Sequence, residues 1–114
     1  MNLGQKGEAL ACNYLESKHY RILEKNYRKS FGEIDLIAMY GQVVVFVEVK
    51  TRMNMNYGLP SEAITAAKIH SIEKVANFYI SQKHLENYDC RIDAVEILII
   101  RGKPYIRHIE NISG

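Results

Sequence analysis

GEIDLIAMYGQVVVFVEVKTR, residues 32–52, reads as two adjacent β-strands joined by a tight turn. The first runs from Glu33 to Tyr40 and the second from Val43 to Thr51, with Tyr40-Gly41-Gln42 as the turn between them. Val43 to Val47 is apolar without alternation, so the second strand is expected at the sheet centre, buried on both faces. Side chains alternate along a strand, which puts Glu48 and Lys50 on one face and Val47 and Val49 on the other. A buried strand ending in Glu-Val-Lys needs partners or a metal for its charges. No Lys or Arg falls between Lys29 and Lys50, yet Glu33, Asp35 and Glu48 do. Asp35 placed opposite Glu48 and Lys50 makes a site of two acids, one ammonium and the Val49 carbonyl, a donor set suited to a hard cation.

N-terminal to this stretch, residues 3–18 have the spacing of an amphipathic helix, with Asn2 as its N-cap. Its apolar stripe is Leu3, Gly7, Leu10, Ala11, Tyr14 and Leu15, and Glu8 falls at the stripe's edge. Gly4 and Gly7 are poor helix formers, which suggests close approach by another element. Tyr20 to Ser30 reads as a strand. Lys18 just before it and Arg21, Lys25, Arg28 and Lys29 within it are five of the fifteen basic residues, interleaved with Tyr20 and Tyr27. That pattern suits an edge that tracks phosphates while aromatics stack, and it equally suits a solvated edge strand protected against aggregation. Arg52, at the end of the central strand, joins these four Arg and Lys from Arg21 onward as a candidate nucleic-acid contact.

After a polar loop at 53–60, Ser61 is the expected cap of a second helix running to about Ser81. Its stripe is Ile64, Ala67 or Lys68, Ile72, Val75, Ala76 and Tyr79. Lys68 interrupts the face that packs on the sheet, so either it snorkels outward or its ammonium reaches the carboxylate site or a phosphate. Lys83 to Tyr88 is a connection, Arg91 to Arg101 a strongly apolar strand, Gly102-Lys103-Pro104 a turn and Tyr105 to Ile109 a last strand. Asp93 is read as a salt-bridge partner, and the four histidines have no ligand spacing.

The 114 residues make one domain, with an apolar fraction of 47% and a charged fraction of 25% that suit an ordinary globular core. A net charge of +2 permits nucleic-acid binding without requiring it. Cys12 and Cys90 are distant and lack zinc-ligand spacing, which argues against a zinc site or a disulfide framework. No apolar run approaches a membrane span and the N-terminus is too polar for a secretory signal, so the expected compartment is the cytoplasm, without membrane contact.

The order α-β-β-β-α-β, with Asp35 on the second strand and Glu48-Val49-Lys50 on the third, resembles the PD-(D/E)XK nuclease superfamily. GQKGEALACNYLESKHY, GEIDLIA, VFVEVKTR and YGLPSEAITAAK together are similar to the YraN-like family, UPF0102, whose members are related to archaeal Holliday junction resolvases. The resemblance covers nearly the whole chain. It implies a restriction endonuclease-like α/β fold: an αβββαβ core with a central mixed sheet flanked by two helices. It further implies a Mg²⁺- or Mn²⁺-dependent DNA endonuclease, with branched or structured DNA among its substrates. Asp35, Glu48, the Val49 carbonyl and Glu8 would hold the metal, and Lys50 would stabilise charge at the scissile phosphate or help activate water. Glu33 either assists or flanks the site, and Ile34 stands where the superfamily usually has proline. Two other readings remain: a nucleic-acid-binding module that keeps the fold without turnover, and a small interaction protein. Twofold-symmetric substrates favour a homodimer.

Overall fold

The computed structural model describes residues 1–53 and 64–113. Its elements are α1 (Leu3–Ser17), β1 (Arg21–Lys29), β2 (Gly32–Tyr40), β3 (Val43–Arg52), α2 (Ala66–Gln82), β4 (Asp89–Ile100) and β5 (Lys103–Ile109). The strands form one sheet in the order β1-β2-β3-β4-β5. The β1-β2, β2-β3 and β4-β5 pairs are antiparallel, whereas β3 and β4 run parallel, joined by the crossover that carries α2. This is a mixed α/β fold with the expected element order. β3 occupies the centre, and Val44 to Val47 are all buried.

The helices cover opposite faces. On one face α1 brings Ala11, Cys12 and Leu15 onto Leu36, Ala38, Val45, Val47, Val95 and Ile97. On the other α2 brings Ile72, Val75, Ala76 and Tyr79 onto Ile34, Ile37, Val44, Phe46 and Ile92. Asn2 caps α1 as expected: its side chain accepts from the Gln5 N–H at 2.8 Å, and the Gln5 side chain accepts from the Asn2 N–H at 3.1 Å. Leu3, assigned to the apolar stripe, is instead exposed, and Cys12 takes a place in the buried face. Of the two early glycines, Gly7 is the one that matters. A Cβ there would overlap Thr51 Oγ1, so its bare Cα lets α1 seat directly on the end of β3.

Three boundaries differ from the sequence reading. Thr65 caps α2, its side chain accepting from the Lys68 N–H at 3.1 Å, while Ser61 lies outside the described residues. β4 begins at Asp89, two residues early, because it pairs with β3 from Val43 onward. The β4-β5 turn is Arg101-Gly102, with φ of 52° and 79°, and Lys103 already pairs with Ile100. Two consecutive positive φ values match a tight two-residue hairpin.

One irregularity in the sheet positions the site. Ile34 lies in the α2-side cluster and Leu36 in the α1-side cluster, although residues two apart on a strand share a face. Across from them, Tyr27 packs on the α2 side while Lys25 lies beside Leu36 and Cys12 on the α1 side. The register holds on either side, with Tyr27 opposite Ile34 and Lys25 opposite Leu36, but Asn26 and Asp35 between them are unpaired. Asn26 has a φ of 51°, a left-handed conformation that asparagine tolerates better than most residues. Both strands therefore kink at one level, and Asp35 is released from the alternation of the sheet.

Candidate active site

The pairing of β2 with β3 ends at Leu36 and Val47. Beyond that point β3 continues along β4, with Glu48 opposite Ala94 and Lys50 opposite Glu96, while β2 stays with β1. The sheet thus forks at Asp35 and Glu48. Asp35 bridges the fork: its Oδ2 accepts the Val49 N–H at 2.8 Å. A strand residue directs its N–H and C=O to the same side, so the Val49 carbonyl also opens toward the gap left by β2.

Glu48 and Lys50 share the α2 face, as the alternation requires, and Val49 packs on the α1 side with Val47. Glu48 is buried, 4% exposed, and its Oε1 lies 3.7 Å from Lys50 Nζ and 3.9 Å from Lys68 Nζ. Lys68 therefore reaches the carboxylate, which resolves the choice left open by the sequence. Burial pushes the Glu48 carboxyl up to about 7; the Asp35 charge adds to this, and the two lysines pull the other way. Asp35 is also raised, first by burial, with Glu8 and Glu33 adding repulsion, while the Val49 N–H and Lys68 oppose the rise. Two acids thus crowd one small volume, with two ammonium groups at contact range.

The other expected residues divide. Glu8, half-buried on α1, is near enough to repel Asp35. Glu33 is turned outward to Arg28, Oε2 to Nε at 3.1 Å, and acts on the site only through its charge. Among the described residues, no three His, Cys, Asp or Glu side chains gather closely enough to hold a metal ion, so Glu8, Asp35 and Glu48 are not assembled as three carboxylate ligands. The pair Asp35 and Glu48 with the Val49 carbonyl nevertheless fits a hard cation. Mg²⁺ commonly takes one or two carboxylates and retains several waters, and a cation would relieve the repulsion that raises Glu48.

The basic residues of β1 do not form one stripe. Arg28 is engaged by Glu33, and Lys29 Nζ lies over the rings of Tyr27 and Phe78 at 5.0 and 5.2 Å on the α2 side. Lys25 faces the α1 side beside Cys12, and Arg21 is exposed near the start of the strand. Arg52, opposite Leu98, prolongs β3 beyond Lys50.

Sequence reasoning missed Glu96, whereas Asp93 makes the salt bridge expected of it, within a larger network than the sequence announced. Glu96 is buried and is the register partner of Lys50, with Arg107 Nη1 at 3.9 Å from its Oε1. A lone acid within VEILII was the available signal. Asp93 is fully buried and accepts from His108 Nε2 at 2.7 Å, Arg91 Nε at 3.0 Å and the Asn111 N–H at 2.9 Å. Arg91 donates onward to the Tyr20 hydroxyl at 2.7 Å. Burial alone would raise Asp93, but the His108, Asn111 and Arg91 contacts outweigh it and hold the carboxyl below its usual range. His108 thereby gains a structural place.

Fold and site together define a small mixed α/β protein: a five-stranded sheet between two helices, with a carboxylate–lysine cluster where two strands part. The chain belongs to the family described as "Uncharacterised protein family UPF0102", which it matches over residues 7–97. A UPF0102 protein of Alkaliphilus metalliredigens is 46% identical over 110 residues, covering 96% of each chain. One from Caldanaerobacter subterraneus subsp. tengcongensis is 44% identical over 110 residues, covering 96% of this chain and 90% of the relative. One from Syntrophus aciditrophicus is 47% identical over 97 residues, covering 85% and 76%. No described helix is long and apolar enough to cross a membrane.

Proposed function

We propose that this chain is a Mg²⁺- or Mn²⁺-dependent endonuclease of the restriction endonuclease-like class, hydrolysing phosphodiester bonds in DNA. The observation that carries the reading is the fork itself: two crowded acids, Asp35 and Glu48, beside Lys50 and Lys68. A structural ion-pair cluster would be a poor use of these groups. Buried pairs add little stability, and this arrangement holds Glu48 far from its ordinary ionisation. Perturbed acids next to fixed cations at an open edge are features of catalytic sites.

Asp35, Glu48 and the Val49 carbonyl would hold the cation, with Glu8 at the margin. When bound, it would polarise the phosphate and acidify an attacking water. The protein's own groups supply the rest. Lys50 presents a fixed positive charge where negative charge develops on the phosphate oxygens, an interaction that strengthens toward the transition state. Lys68 holds the Glu48 carboxylate from the helix side and is the second cation within reach of a phosphate. Asp35 is anchored by the Val49 N–H, so its free oxygen keeps a fixed position. Lys25, Lys29, Arg21 and Arg52 offer the phosphate contacts, with Arg28 contributing once released from Glu33. Such an enzyme works on cytoplasmic DNA, and a homodimer would match twofold-symmetric branched substrates.

The test is cleavage of four-way junction, flap, single-stranded and duplex DNA in Mg²⁺ or Mn²⁺, with a Lys50→Ala protein purified in parallel. Cleavage confined to the wild type supports the enzyme. DNA and Mn²⁺ binding without cleavage of any substrate would instead support a binding module on the same fold.

A further inference from the structure

A cleft of about 350 Å³ lies between the first turns of α1 and the kinked part of β1 and β2. Its floor is apolar, formed by Leu36 and Cys12, which are 1% and 6% exposed. Gln5, Glu8, Lys25 and Asn26 stand at its rim. The cleft exists because of the kink: regular strands would pair Asn26 with Asp35 and keep both in the ladder. With Asn26 left-handed that pairing is absent, and the α1 side of the sheet opens there. Asp35 directly precedes the floor residue Leu36 and lies level with the rim residue Asn26, so the cleft adjoins the Asp35 side of the fork.

Among the described residues, Asn26 has no hydrogen-bond partner for its amide and Lys25 forms no ion pair. Gln5 uses its oxygen on the Asn2 N–H, which leaves its NH₂ to donate. A flat heterocycle with donors and acceptors on its edge, joined to a phosphate, matches an apolar floor, two amides and one ammonium. Amide side chains read base edges through paired donor and acceptor atoms, and lysine answers the phosphate. A base within a duplex cannot reach such a cleft without leaving the stack.

We infer that the α1–β1 cleft is a pocket for one unstacked nucleobase next to the bond to be cut, so that the site acts on strands with an unpaired base there. This inference rests on the nuclease reading and names its substrate class. An unpaired base enters at low cost, whereas a paired one must first be extruded.

The experiment measures binding of the full chain to two DNA hairpins carrying 2-aminopurine at one position, unpaired in one and paired in the other, with Ca²⁺ present. Wild type should favour the unpaired hairpin by about tenfold and hold its fluorophore unstacked. Ala9 also lines the cleft, so Ala9→Phe, which places a ring in it, and Asn26→Gly, which keeps the positive φ but removes the amide, should both abolish that preference. The second variant stands should the first disturb folding. Equal affinity for the two hairpins in wild type and variants, with metal-dependent cleavage intact, would overturn the pocket and leave the nuclease standing. No binding to either hairpin, together with no cleavage, would overturn both.

Discussion

The Asp35 carboxylate accepts the Val49 N–H at 2.8 Å across the point where β2 and β3 cease to pair. One side chain thus takes the place of a missing ladder bond while its second oxygen remains available. Asp35→Asn retains an acceptor for that N–H and removes the charge. We expect the fold to survive and Mn²⁺ affinity, measured by calorimetry, to collapse. Unchanged affinity would contradict Asp35 as a ligand.

Glu48 gives the site a pH dependence. Its folded value of about 7 lies above the ordinary 4.5, so the folded protein holds this proton more tightly than the unfolded chain does. Its contribution to stability is complete below about pH 4.5 and is lost as pH rises through about 7. A cation must displace the same proton, so Mn²⁺ affinity should fall about tenfold per pH unit below 7 and level off above it. Calorimetry between pH 5 and 8, at roughly unit intervals, reads this slope directly. A flat profile would remove Glu48 from the ligand set.

Lys50→Ala removes a cation 3.7 Å from Glu48 without emptying the core. Cleavage should drop on the order of 10²–10³-fold by the loss of a preorganised charge, with DNA affinity changed little. Single-turnover kinetics separates the two effects. Equal cleavage rates for mutant and wild type would end the proposed role.

Gly7 offers a test of how α1 supports the site. The added methyl of Gly7→Ala would overlap Thr51 Oγ1 and lie 2.9 Å from its Cβ, next to Lys50 in β3. We expect destabilisation of about 1–3 kcal/mol in denaturant unfolding, because helix and strand must separate. Thr51→Ala in the same protein should restore part of the loss. Additive behaviour of the two substitutions would show that the contact is not the cause.

Asp93→Ala would strand Arg91 and His108 around an emptied, fully buried position. The expected cost is about 3 kcal/mol or more, since breaking a buried pair leaves charge uncompensated. Because the folded Asp93 carboxyl lies below its ordinary value, its stabilisation is present above that value and lost as pH falls through the folded one. The variant should therefore have a shallower acid limb of unfolding. A cost below about 1 kcal/mol would mean that the network is incidental.

Much of this was legible along the chain. The apolar run from Val43 to Val47 announced a central strand, the Glu48-Val49-Lys50 spacing set its faces, and Asn2 marked the start of α1. Those are local signals, each carried by neighbouring residues. The kink at Asn26 and Asp35 was not legible, because it belongs to two strands at once and no residue in either forces it alone. The engagement of Arg28 by Glu33 depends on the same cross-strand register, and no residue near either one announces it. Asp93 and His108 lie fifteen residues apart and meet only through the β4-β5 hairpin. The cap of α2 was misplaced because Ser61 and Thr65 are both good N-caps, and neither spacing nor propensity chooses between them.

The parallel pairing of β3 with β4 divides the assembly of the molecule in time. Residues 21–52 fold back on themselves through short turns, and pairings so near in sequence are the quickest to form. β4 can dock on β3 only after the whole crossover has closed, at a larger loss of chain entropy. Asp35, Glu48 and Lys50 all ride on the early meander, whereas Lys68 arrives with the crossover helix. On these loop lengths we expect the acids to be gathered first and the second lysine to be set against Glu48 with the last long-range contacts, so that completion of the site reports completion of folding.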